Sequence, residues 1–234
     1  MITAERQDFG DNNKNDAVKL PVAGNFPAPV RFFAHFFSYL LHPLFIPLYV
    51  IMFLIYVHPS YFSGADSRTK FWLPLTVVQL TIFYPVFSVV LLKALGFADS
   101  FFLKTQKDRI IPYIISGIFF FWLFMVFKNY PGELHPAVTA FALGIFLTSS
   151  AALMANIYFK ISMHAMGMGG LLGLFLVIMT YNTMLMTWPL SIAFLLTGIV
   201  CTSRLVVSDH TVKEIYWGLF LGVICQFAAA LVLL

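Results

Sequence analysis

Three groups of polar residues carry the chemistry this sequence can offer. They are Lys104, Lys107 and Arg109; then Ser162, Met163 and His164; then Ser203, Arg204, His210 and Glu214. Each group stands at the edge of a long apolar run, where an ionisable side chain is costly and is read first as a functional residue. If a helix begins near His210, positions 210 and 214 share one helix face, so the carboxylate can meet the imidazole. A histidine oriented by a carboxylate is a ready nucleophile or base. Arg204 offers a planar fork of donors suited to phosphate oxygens. Ser162 and His164 open another helix that runs into Gly167–Gly170, and backbone N–H groups with a serine hydroxyl at a helix start can hold an anion. Arg109 and its neighbouring lysines add cations just before a further helix. Cations, amide donors and two histidines at one depth describe a phosphate-handling site.

Each residue also has a plainer reading. His210 and Glu214 could close a helix as an interfacial ion pair, and Lys104, Lys107 and Arg109 could be topology signals at a helix end. Ser162 could be a helix N-cap, a role compatible with anion binding. Lys160 fits a side chain that snorkels to the headgroups. His42, followed by Pro43 inside an apolar run, reads as an interhelical hydrogen-bonder whose removal leaves the chemistry intact. Gly167 to Gly170 suit close helix packing as much as anion binding. Cys201 and Cys225 fall inside apolar runs without metal-ligand spacing and read as inert packing residues.

The elements that must position these residues follow from composition. The chain is 60% hydrophobic, 18% aromatic and only 10% charged, whereas soluble domains carry roughly a quarter charged residues. This is the composition of a polytopic membrane protein. A spanning helix needs about 20 mostly apolar residues, and on that rule spans are expected at 33–57, 71–95, 111–128, 136–158, 166–186, 188–206 and 215–234. Continuous runs such as Ile114 to Phe127 do not alternate as barrel strands do, so the expected fold class is an all-α transmembrane bundle of six to seven helices in one domain, 31–234. The preceding segment, 1–30, is polar and is expected to be a surface tail. Its first apolar run starts only after Arg31, so no cleaved signal is expected.

Orientation follows from basic residues. The tail and the loops after the second, fourth and sixth spans hold Arg6, Lys14, Lys19, Arg31, Lys93, Lys104, Lys107, Arg109, Lys160, Arg204 and Lys213, against Arg68, Lys70 and Lys128 on the other side. The positive-inside rule places the tail and all three polar groups toward the cytoplasm.

The third group, Ser203-Arg204, five residues, His210, three residues, Glu214, resembles the type 2 phosphatidic acid phosphatases. Their signature is lysine, six residues, arginine-proline; then Pro-Ser-Gly-His; then Ser-Arg, five residues, histidine, three residues, aspartate. Here the last part keeps everything but the length of the final carboxylate. The second part reads Ile161-Ser162-Met163-His164, without the proline and glycine. The first reads Lys104 or Lys107, then Arg109, with two isoleucines before Pro112. The resemblance covers roughly 104–214, and Leu41-His42-Pro43 is similar to the bacterial membrane branch of the family, which implies a bacterial inner membrane.

The resemblance implies a lipid-phosphate phosphatase. His210 would attack phosphorus to form a phosphohistidine, Glu214 would orient it, and His164 would protonate the leaving oxygen and later help activate water. Arg109, Arg204, Lys104 or Lys107, Ser162, the Met163 amide and Ser203 would hold the phosphate. No metal or cofactor is expected, and the partners are a lipid phosphate and the bilayer rather than nucleic acid. Substrates in this class include phosphatidic acid, phosphatidylglycerol phosphate, isoprenoid diphosphates and phosphorylated lipid A. Most bacterial members face the periplasm, opposite to the basic-residue count. Two other readings stay open: a catalytically silent lipid-binding relative, and a small transporter, which would place its charges nearer the span centres.

Overall fold

The computed structural model describes residues 26–96, 106–131, 134–181, 186–207 and 210–234. Among these residues every regular element is helical and there is no strand. The helices are α1 (Ala28–Leu40), α2 (Ile46–Met52), α3 (Ser67–Val78), α4 (Tyr84–Ala94), α5 (Gln106–Lys128), α6 (Pro136–Tyr158), α7 (Met163–Tyr181), α8 (Thr187–Val207) and α9 (Val212–Leu233). A π-helical turn, Gln79–Phe83, joins α3 to α4 into one apolar rod, and another, Phe53–Val57, extends α2. Among the described residues, six helical stretches are long and apolar enough to cross a membrane: Ser67–Ala94, Arg109–Lys128, Pro136–Tyr158, Met163–Tyr181, Thr187–Val207 and Val212–Leu233. They fit a multi-pass membrane protein, and each matches an expected span within a few residues at either end.

The first expected span, 33–57, is not one continuous helix. It divides into α1 and α2 around a non-helical bend at Leu41–Phe45. Pro43 is the cause, because proline lacks an N–H and pushes the residue before it out of helical conformation. The helix therefore stops ahead of His42. Side chains satisfy the backbone at the bend: Thr81 Oγ1 donates to Leu44 O at 3.1 Å and Tyr49 OH donates to Leu40 O at 2.8 Å. Polar backbone away from water needs such partners. The expected tail, 1–30, lies outside the described residues as far as residue 25.

α7 and α9 form the central pair. Gly169 and Gly173 on α7, and Gly218 and Gly222 on α9, stand four residues apart and face each other. A Cβ on Gly169 would overlap Leu219 O, and one on Gly222 would overlap Met166 O. The two backbones touch, as small residues permit in membrane helix pairs. α6 packs on α9 and on α5, while α1 lies along α8. The main apolar core joins α2, α3, α5, α6, α7 and α8 through residues such as Leu54, Leu73, Leu123, Val138, Ile178 and Val200, all nearly or fully buried.

Candidate phosphate site

The ends of α5, α7, α8 and α9 meet at one face of the bundle, and the bend between α1 and α2 closes it. Thr211 caps α9 by accepting from the Glu214 N–H at 3.3 Å. That cap holds Glu214 in the first turn and His210 just ahead of it. His210 Nδ1 and Glu214 Oε2 are 2.6 Å apart. The carboxylate accepts, so Nδ1 carries the proton and Nε2 keeps its lone pair. Burial lowers the His210 imidazole to about 4; the Glu214 hydrogen bond opposes this, and the charges of Arg109 and Arg204 reinforce it. The imidazole is neutral at pH 7 and suited to nucleophilic attack.

His164 lies in the first turn of α7, and its Nε2 is 3.0 Å from Ser38 O. A carbonyl can only accept, so Nε2 carries a proton and Nδ1 is the nitrogen left for other work. His42, at the bend, packs edge-on against His164 with ring centroids 5.0 Å apart. Its Nδ1 accepts from the Leu44 N–H at 3.3 Å.

Two arginines serve the same space. Arg109, only 8% exposed, donates to Ile161 O at 3.1 Å, and that bond draws the α6–α7 connection against α5. Arg204 acts electrostatically on His42, His164 and His210. Its Nε is buried with no hydrogen-bond partner among the described residues. A buried, unsatisfied donor on a cation is expensive, and an anion in the pocket would satisfy it.

The remaining residues named from sequence are placed as follows. Ser162 is fully buried and its Oγ accepts from the Ala165 N–H at 3.4 Å, so it caps α7, while its own N–H donates to Glu214 O at 3.4 Å. Met163 begins α7 and turns its side chain toward an apolar cavity. Ser203 Oγ donates to Ile199 O at 2.7 Å within its own helix, which spends its proton away from the pocket. Lys104 lies outside the described residues. Lys107 is described only as backbone in the first turn of α5. Sequence reasoning set aside His42 and passed over Ser38, both of which the fold brings to His164. The available signal for His42 was an ionisable residue beside a proline in an apolar run; a lone serine in α1 carries none.

An apolar cavity of about 80 Å³ adjoins the site. Pro43 and Leu44 beside His42, Met163 beside His164, and Tyr113 one turn from Arg109 line it, together with Gly167 and Gln226. The site therefore has a cationic side and an oily side. Among the described residues no group of three or more histidine, cysteine or acidic side chains could hold a metal ion. Comparison with models of known protein families, with curated proteins and with solved structures returns no match for this chain.

Proposed function

We propose that this chain is a membrane lipid-phosphate phosphatase that works through a phosphohistidine on His210. The observation that carries the reading is the half-buried His210–Glu214 pair at 2.6 Å, set in the field of Arg109 and of an Arg204 whose Nε has no partner among the described residues. A neutral histidine with a free Nε2 is a nucleophile, and the two guanidinium groups suit the charge that spreads over phosphoryl oxygens in the transition state. The resemblance to the type 2 phosphatidic acid phosphatases assigns the same roles to the same residues.

In the first step the His210 Nε2 lone pair attacks phosphorus and the bond to the lipid oxygen breaks. Glu214 stabilises the imidazole as it becomes cationic. His164, its Nε2–H anchored on Ser38 O, takes the proton of the singly protonated phosphate monoester on Nδ1 and hands it to the departing alcohol. In the second step Nδ1 takes a proton from water, which attacks the phosphohistidine and releases orthophosphate. The adjoining cavity suits the lipid side of the substrate, so the headgroup meets the cations while the chain stays among apolar residues.

The test is orthophosphate release by purified protein across lipid monophosphates and diphosphates, with His210→Ala in parallel. Release that vanishes in the variant supports the reading; full turnover in His210→Ala would exclude a phosphohistidine. Side-specific tags at Asn12 and Leu234 test orientation, and a periplasmic tail would overturn the cytoplasmic placement.

A further inference from the structure

The segment around the α1–α2 bend brings more donors to the site than the phosphatase reading uses. Ser38 is 4% exposed and its Oγ is buried without a partner among the described residues. Its carbonyl is the group that anchors His164, so the orphaned hydroxyl lies beside the site. His42 has its Nδ1 lone pair taken by the Leu44 N–H, which leaves the proton of the neutral ring on Nε2, and no acceptor for it stands among the described residues.

His42 packs edge-on against His164 with ring centroids 5.0 Å apart, and Ser38 O holds His164 Nε2 at 3.0 Å, so both donors belong to residues in direct contact with His164. Pro43 and Leu44, which follow His42, line the apolar cavity, as does Met163 beside His164, so His42 stands where the cationic side of the site meets its oily side.

We infer that Ser38 Oγ and His42 Nε2 form a second oxyanion subsite, which holds the inner phosphate of a lipid diphosphate. This rests on the phosphatase reading of the same site and narrows its substrate class. The lone pair of His210 Nε2 attacks the terminal phosphorus, and the bond from that phosphorus to the bridging oxygen breaks. The electron pair leaves on the bridging oxygen of a lipid monophosphate, which accepts hydrogen bonds from Ser38 and His42 and needs no immediate proton. Water then attacks the phosphohistidine, His164 takes the proton, the P–N bond breaks and orthophosphate departs.

Two readouts test this on the full chain in detergent. In the first, orthophosphate and pyrophosphate are titrated against wild type, Ser38→Ala and His42→Phe by calorimetry. In the second, kcat/KM is measured for farnesyl diphosphate and farnesyl phosphate, and the ratio between them isolates the inner phosphate. A hydrogen bond to a charged group sets the scale, so the wild-type diphosphate preference should be about tenfold or more and each variant should cut it by about tenfold. Ser38→Ala removes one buried oxygen and decides the matter if His42→Phe fails to fold. Equal binding of the two anions by wild type, or ratios unchanged in Ser38→Ala, would overturn the subsite. A pyrophosphate preference without His210-dependent release from either lipid would sink the phosphatase reading and leave the subsite standing. Release from both lipids without diphosphate preference would do the reverse.

Discussion

Replacing Glu214 with aspartate sets the structure against the family resemblance. The family signature carries aspartate at this point, so resemblance alone expects Glu214→Asp to keep or raise activity. The geometry expects a loss. Thr211 fixes the first turn of α9 through the Glu214 N–H at 3.3 Å, and the glutamate already reaches His210 at 2.6 Å. Removing one methylene withdraws the carboxylate by about 1.5 Å, one C–C bond. The gap becomes roughly 4 Å, beyond hydrogen-bond range. A hydrogen bond to a charged partner is worth about 1.5–3 kcal/mol, and since Glu214 also faces the imidazolium formed in the transition state, the loss falls on the chemical step. That converts to roughly 10- to 150-fold in kcat, at about 1.4 kcal/mol per tenfold. Single-turnover rapid quench, following the acid-labile phosphoenzyme, measures that step directly. An aspartate variant as fast as wild type would refute the reasoning, because it would mean the 2.6 Å contact does not set the nucleophile.

Other predictions follow from the same geometry. Arg204→Leu removes a half-buried cation whose buried Nε is unsatisfied among the described residues, so the melting temperature in detergent should hold or rise while kcat/KM falls by about 100-fold or more; marked destabilisation would make Arg204 structural. Because the imidazole of His210 is lowered to about 4, it stays neutral as pH falls from 7 to 5. The acid limb of kcat/KM, corrected for substrate ionisation, should therefore lie below pH 5, and a limb at the ordinary histidine value of about 6.5 would contradict the burial argument. Gly222→Ala would drive a Cβ into Met166 O and should destabilise the bundle by about 1–3 kcal/mol, read as an earlier unfolding midpoint in denaturant; an unchanged midpoint would show that α7 and α9 can separate.

Six of the spans were legible in the sequence because crossing a membrane is a matter of length and composition. The first was misread for the same reason. A hydropathy run reports what the side chains are, not whether the backbone through them is continuous, and Pro43 breaks it. The His210–Glu214 pair was legible because both residues lie within one turn and their contact is local. Ser203 bonds back to the carbonyl four residues earlier, as a serine inside a helix usually does, here that of Ile199, and its spacing to Arg204 does not reveal this. The contributions of Ser38 and His42 depend on α1 and α2 folding against α7, over more than a hundred residues of chain. No spacing within the sequence encodes that meeting.

The glycine contact between α7 and α9 has a consequence for how the site can vary. His164 rides on α7 and the His210–Glu214 pair on α9, and the backbones of these helices touch, with the Ser162 N–H bonded to Glu214 O beside them. The interval between the two histidines is thus ruled by main chain against main chain, which has no rotamers to relax. Side chains elsewhere in the bundle can be exchanged for others of similar bulk without changing that interval. The glycines are the gauge to which this site is cut, although none of them carries an atom that could take part in the reaction.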